Sequence, residues 1–434
     1  MMKSPGNPVS SGTRGGEVTR IGRRVLRVRV GAAAFVAMGA VAGSLVGASA
    51  AAADPGGLPY DRVEQLADGV RYGEFTETAS AGTEHGYVLV VDLADPRVRM
   101  NLLTPGAVAA RAAVSDLADA AHAVGAVNGD FFNITEEHAG VTPTGSSDGP
   151  EIAAGRALKA AVPDAQRFGP AMPPGGTTQD VIGVGLDRRA RLGRLALAGG
   201  VRTRQGTLPL GGFNQYALPQ GGIGAYTAGW GTVSRERAVC GSDTSRAAAC
   251  STDTYEVAVR HGRVVSVADA PGEGTIAPDT TVLVGRDAGA DTLRALHVGE
   301  PARVTERLVP RVSRVPFAFA VGGFPILRDG APLAGLDTKT AATRTAAGYG
   351  DHGRTFYLLA LDGGAESNAG LTIAELADVM SRIGADDAVN LDGGGSTTLV
   401  TRAPGDPAST VRNHPSGVAE RPVANAVGVF SAGR

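Results

Sequence analysis

The chain has 434 residues, 43% hydrophobic and 19% charged, so it can bury the core of one large domain or two ordinary ones and is too apolar to be a disordered chain. A formal net charge of −2 gives no electrostatic basis for binding nucleic acid or an anionic membrane surface. With 63 glycines, 25 prolines and 5% aromatics, many turns and a core of Ala, Val and Leu are expected.

Residues 1–53 read as an export signal. Arg20, Arg23, Arg24, Arg27 and Arg29 form a basic segment ahead of an apolar run of small residues, and Ala48-Ser49-Ala50 and Ala51-Ala52-Ala53 offer cleavage sites before Asp54-Pro55. The run could also span a bilayer, but its Gly, Ala and Ser content favours cleavage, leaving a secreted or extracytoplasmic chain with no stable membrane anchor. Export suits the two cysteines, Cys240 and Cys250, which an oxidising compartment would join as a disulfide closing a short polar loop.

Alternating patterns predict strands over Gly86–Leu93 and Val98–Leu103, a helix over Ser115–Ala123 ended by Gly125, and a strand through A-V-N-G-D-F-F. Residues 150–310 read as short strands, with hairpin turns at Leu186-Asp187-Arg188 and His261-Gly262-Arg263. The last third is the most regular. A strand over Thr355–Leu361 ends in Asp362-Gly363-Gly364. A Thr372-x-x-Glu375 capping box opens a helix carrying Ile373, Leu376, Met380 and Ile383, and Gly384 stops it. A second strand then ends in Asn390-Leu391-Asp392 before three glycines. A β-α-β unit of this kind places Asp362 and Asp392 on one rim of the sheet, where ligands bind in open α/β sheets. The expected fold is α+β, a mixed sheet with packed helices and a β-rich middle segment.

Asp392-Gly393-Gly394-Gly395-Ser396-Thr397 is the strongest local signal. Its glycines let backbone N–H groups approach an anion and its hydroxyls add donors, although a plain Gly-rich turn is an equal reading. Asn128-Gly129-Asp130 echoes Asn390-Leu391-Asp392, as a second contributor to a site or as a turn whose Phe131 and Phe132 are core. Arg344 could clamp a phosphate or lie on the surface. The histidines show no zinc-hydrolase spacing, and no Gly-x-Ser-x-Gly elbow occurs.

Read together, A-V-N-G-D-F-F-N, G-G-F-P-I-L-R-D-G, T-R-T-A-A-G-Y-G, N-L-D-G-G-G-S-T and E-R-P-V-A-N resemble the phosphodiester glycosidase family in order and spacing. The resemblance spans roughly residues 85–431. It divides the chain into the export signal (1–53), N-terminal strands (54–110) and a glycosidase domain (111–431) with a β-rich insert at about 200–310. It implies hydrolysis of a sugar-1-phosphodiester, such as an N-acetylglucosamine-1-phosphodiester, at the glycosidic bond. The carboxylates would be Asp392 with Asp130 or Asp362. Substrate contacts would come from Asn128, Arg344, Asn390, Gly393, Gly394, Gly395, Ser396, Thr397, Arg421 and Asn425, with Glu366 as an additional acid. No cofactor is required, no metal ligands are assigned, and there is room for a structural calcium. The expected partner is a carbohydrate phosphodiester, in a cell-wall or capsular polymer, and not nucleic acid. Two other readings use the same residues: a non-catalytic cell-wall carbohydrate-binding protein and a metal-dependent phosphoesterase.

Overall fold

The computed structural model describes residues 57–363, 369–417 and 419–432; the export segment and Glu366 lie outside them. The Thr355–Leu361 strand shows how the layers form. Phe356, Leu358 and Ala360 point to one face and Tyr357, Leu359 and Leu361 to the other, and both sets are buried. An uninterrupted apolar run is what period-two alternation requires of a strand covered on both sides.

That strand sits inside an eight-stranded sheet ordered Arg62–Ala67, Val70–Ala79, Gly82–Asp92, Thr355–Leu361, Thr345–Gly350, Asp387–Leu391, Phe324–Arg328, Ala331–Pro332. On one face packs the Ile373–Arg382 helix, through Leu376, Val379 and Met380 against Val90, Ala346 and Leu359. Its capping box forms as expected: Glu375 N–H donates to Thr372 Oγ1 at 3.2 Å, and Thr372 N–H donates to Glu375 Oε2 at 2.8 Å. Gly384, at φ +102°, follows the last turn.

The other face packs on a five-stranded sheet ordered Thr410–Val411, Leu399–Thr401, Gly125–Asn128, Ala426–Ser431, Val98–Leu103. Val127, Leu399, Val427 and Val429 meet Leu89, Leu358, Val389 and Leu391 between the sheets. Beyond it lies the Val114–Ala121 helix, against Ala126, Val400 and Phe430. The middle of the chain adds a seven-stranded sheet and a second five-stranded sheet. The disulfide between Cys240 and Cys250 forms. Among the described residues no helix is long and apolar enough to cross a membrane.

Two expectations need correcting. The molecule is largely β-structure, with three α-helices among the described residues, so the α+β description holds only loosely. The main sheet is also antiparallel throughout rather than mixed. Thr355–Leu361 and Asp387–Leu391 run parallel, but Thr345–Gly350 lies between them and pairs antiparallel with both. Among the described strands only Gly212–Phe213 and Ile223–Tyr226 pair in parallel. A smaller difference concerns Gly125. The first helix ends at Ala121, where His122 turns left-handed at φ +54°, and Gly125 instead opens the next strand. A Cβ there would lie 2.8 Å from Leu89 Cδ1, so glycine permits the two sheets to approach.

Candidate active site

Strand directions bring the motifs to one place. In the eight-stranded sheet, the ends of Thr355–Leu361 and Asp387–Leu391 and the starts of Thr345–Gly350 and Phe324–Arg328 share a rim. In the five-stranded sheet, the end of Gly125–Asn128 meets the starts of Leu399–Thr401 and Ala426–Ser431. The two rims are tied by the echoed motifs. Asn128 Nδ2 donates to the Asp392 carbonyl at 2.6 Å, and Asp392 N–H donates to the Gly129 carbonyl at 2.9 Å. Asn128 Oδ1 accepts from Thr398 N–H at 3.1 Å and from the Thr345 hydroxyl at 3.0 Å. That hydroxyl also lies 3.1 Å from Thr397 Oγ1. Asn128 is therefore a fully buried fastener between sheets.

Asp392 follows the Asp387–Leu391 strand at this rim. It is part-exposed, with Ser396 hydrogen-bonded to its carboxyl and Arg421 beside it. Burial of the carboxyl, with a contribution from the Asp148 charge, pushes it up to about 7 against the pull of Ser396 and Arg421. Arg421 is exposed, and its guanidinium crosses Gly395 so closely that a Cβ there would lie 2.4 Å from Nη2. Its Nη1 is 3.4 Å from Ser396 Oγ.

The glycines act differently from an open amide nest. Gly394 N–H donates to the Thr343 carbonyl at 2.8 Å, Ser396 N–H to Gly393 O at 3.2 Å and Thr397 N–H to Gly394 O at 3.1 Å. The segment is a short 3₁₀ turn that uses these amides internally. A Cβ on Gly393 would lie 2.6 Å from the Thr343 carbonyl, so its glycine allows the turn to lie against the rim.

Behind Asp392 lies a charged layer of which the sequence pointed only to Asp130. Asp130, Asp148, Glu151 and Lys159 are all buried. Asp130 Oδ2 accepts from Gly149 N–H at 2.6 Å, and Asp130 N–H donates to Asn425 Oδ1 at 3.0 Å. Asn425 Nδ2 donates to Glu151 Oε1 at 2.8 Å, which also accepts from Ser147 Oγ at 2.6 Å. Lys159 Nζ donates to the Gly149 carbonyl. Asp148 accepts from the Tyr216 hydroxyl and from Phe168 N–H, each at 2.7 Å. Burial raises Asp130 well above the ordinary carboxylate range and Asp148 to about 6, and lowers Lys159. Asp148-Gly149-Pro150-Glu151, an acid pair around a Gly-Pro step, was the visible signal.

Several expected residues serve elsewhere. Asp362 lies on the rim, but its carboxylate accepts from His414 N–H at 2.5 Å and lies 2.9 Å from His414 Nδ1, holding the loop after residue 413. Arg344 is buried and donates to the carbonyls of Leu371 at 3.0 Å and Thr340 at 2.7 Å, fixing the approach to the Ile373–Arg382 helix. Asn390 is buried within its strand, and its Oδ1 has no hydrogen-bond partner among the described residues. Phe131 and Phe132 are core, Phe131 stacking on Phe324 at 5.1 Å.

Residues 253–430, which hold the Asp392 turn, Arg421 and Asn425, match the family model described as phosphodiester glycosidase. That segment is similar to the family over these residues. Solved structures agree in fold. A hypothetical protein from Synechocystis is 21% identical, with a TM-score of 0.66, over 86% of this chain and 64% of its own. This chain thus spans less than two thirds of that relative's length. A Burkholderia pseudomallei protein described as a candidate exported protein is 23% identical, with a TM-score of 0.62, over 81% and 76%. The catalytic domain of zebrafish N-acetylglucosamine-1-phosphodiester alpha-N-acetylglucosaminidase aligns at 14% identity and a TM-score of 0.42 over 85% and 84%, too loosely to carry an argument. No curated protein matches significantly. At the candidate site the matched segment supplies Asp392, Ser396 and Arg421, while Asn128, Asp130 and Asp148 come from earlier in the chain.

Proposed function

We propose that the protein is an exported hydrolase that cleaves the glycosidic C–O bond of a sugar-1-phosphodiester, releasing free sugar and a phosphomonoester. The observation that carries this reading is the pairing of Asp392 with Arg421 through Ser396 within the family-matched segment. A part-exposed carboxyl suits the anomeric carbon, and an exposed guanidinium suits the phosphate.

In this mechanism the bond between the anomeric carbon and the phosphate oxygen breaks, and its electron pair leaves with that oxygen. Water oxygen joins the anomeric carbon, and its proton passes to Asp392 and then to solvent. The phosphate departs as a stabilised anion, so the step needs no strong general acid and no metal. Arg421 offsets the charge of the bound diester, which would otherwise oppose ionisation of Asp392. Asp148, held by Tyr216 and Phe168, helps to raise Asp392 through its charge. Asp130 becomes a positioning residue, held by Gly149 and Asn425. An N-acetylglucosamine-1-phosphodiester-like unit in a wall or capsular polymer fits this reading; the signal-like N-terminus and the disulfide support an extracytoplasmic setting.

The test is a product assay on a panel of sugar-1-phosphodiesters, with and without chelator, using wild type and Asp392→Asn. The reading requires equal amounts of sugar and phosphomonoester, insensitivity to chelator, and loss of turnover in the folded variant. Retained turnover in Asp392→Asn defeats it.

A further inference from the structure

The Ala190–Arg202 and Arg303–Pro310 strands form an antiparallel ribbon in which Arg202 stands directly opposite Arg303. Both are exposed, as is Arg307 four residues further along the same face. Like charges directly opposed on a sheet are destabilising. No acidic partner relieves Arg202, Arg303 or Arg307 among the described residues, although ion pairs hold many other arginines of the chain. Between the charges the face is smooth: Gly200 and Ala198 lie opposite Thr305 and Arg307. Among the described strands, Arg303–Pro310 pairs only with Ala190–Arg202, so its outer edge is open.

A line of hollows starts at this ribbon. One of 420 Å³ is lined by Ala198, Gly199, Thr305, Glu306 and Arg307. The next, of 500 Å³, shares Glu306 and Arg307 and adds Arg156 and Arg314. A third, of 410 Å³, shares Arg156 and Glu306 and reaches Glu151, the residue hydrogen-bonded to Asn425 behind the candidate active site. The run from Arg307 to Glu151 is thus continuous in its lining residues.

We propose that this arginine ribbon and its groove bind an anionic polymer of repeating phosphodiesters, holding the chain whose sugar-phosphate units the active site cleaves. The proposal rests on the reading of Asp392 for the word substrate, but not for the binding itself. Arg303 and Arg307 are about 13 Å apart along the strand, so they engage successive phosphates of an extended chain rather than one group. Glu306 lines all three hollows and Glu151 one of them, but Arg156, Arg307 and Arg314 line them too, so the groove keeps a net positive charge. A neutral glycan would gain nothing from such a surface.

The experiment uses the full chain and fluorescently labelled poly(glycerol phosphate), with dextran and single-stranded DNA as comparison ligands. Wild type is expected to bind poly(glycerol phosphate) and not dextran, with affinity falling as salt rises. Arg303→Gln with Arg307→Gln should weaken polymer binding about tenfold or more, and charge reversal at both should abolish it; neither change should lower the thermal midpoint, since Arg303 stands opposite Arg202. Turnover of a small soluble sugar-1-phosphodiester should be unaffected, because neither residue touches the active site. Polymer binding unchanged by the double variant, equal binding of dextran, or tighter binding of DNA than of poly(glycerol phosphate) would overturn the proposal. If binding depends on the arginines but no sugar-1-phosphodiester is cleaved, the groove stands and the catalytic reading fails.

Discussion

Asn128→Ala removes the fastener between the two sheets. Its side chain holds the Asp392 carbonyl, Thr398 N–H and the Thr345 hydroxyl, all at a fully buried position. Alanine leaves three buried polar groups without these partners. A buried unsatisfied group costs about 1–3 kcal/mol, and partial relaxation by neighbouring hydroxyls offsets some of it, so a loss of about 3–5 kcal/mol is expected. Asn128→Asp provides a second reading. It keeps the Oδ1 acceptor but sets a carboxylate oxygen against the Asp392 carbonyl, and it should destabilise by a comparable amount near neutral pH. Urea unfolding monitored by the fluorescence of Trp230 and by circular dichroism supplies both values. In material that remains folded, turnover should fall further than stability alone explains, because Asp392 loses its anchor. A loss below about 1 kcal/mol for Asn128→Ala would refute the argument that the echoed motifs hold the rims together.

Gly322→Ala would place a Cβ 2.3 Å from Asp130 Oδ2, and Gly149 crowds the same position, so the Asp130 loop must shift. The expected result is a loss of about 1–3 kcal/mol in thermal or urea unfolding together with a fall in turnover. Arg421→Gln, at an exposed position, should raise KM for a phosphodiester at least tenfold while unfolding stays within about 0.5 kcal/mol of wild type. Asp392 is raised to about 7 and acts in its ionised form in the proposed step, so kcat/KM should increase with pH and level off above about 7. A rate that falls across that range would instead make Asp392 a proton donor.

Much of the rim could be read from the chain because local rules wrote it. The capping box at Thr372 and Glu375, the apolar run to Leu361 and the stop at Gly384 each follow from spacing over a few residues. The shared rim of Asp362 and Asp392 followed from the helix between their strands, and it holds although Thr345–Gly350 intervenes. What escaped depends on contacts distant in sequence. Asp148, Glu151 and Lys159 belong to short strands and loops whose pairing with Asn425 and Gly149 no periodicity announces. Asp362 lies on the rim as expected and Arg344 is buried rather than on the surface, but their partners, the Leu371 carbonyl and His414, decide which way they serve. The two Asn-x-Asp motifs looked like an echo within one chain; in the fold they are two halves of one joint.

The central claim is cleavage at carbon rather than at phosphorus, and the position of a solvent oxygen tests it most directly. Hydrolysis of an N-acetylglucosamine-1-phosphodiester in ¹⁸O-water, followed by mass spectrometry of both products, should put the label in the anomeric hydroxyl of the released sugar. Asp392→Asn should release neither product. Label in the phosphate, with unlabelled sugar, would mean attack at phosphorus and would contradict the account.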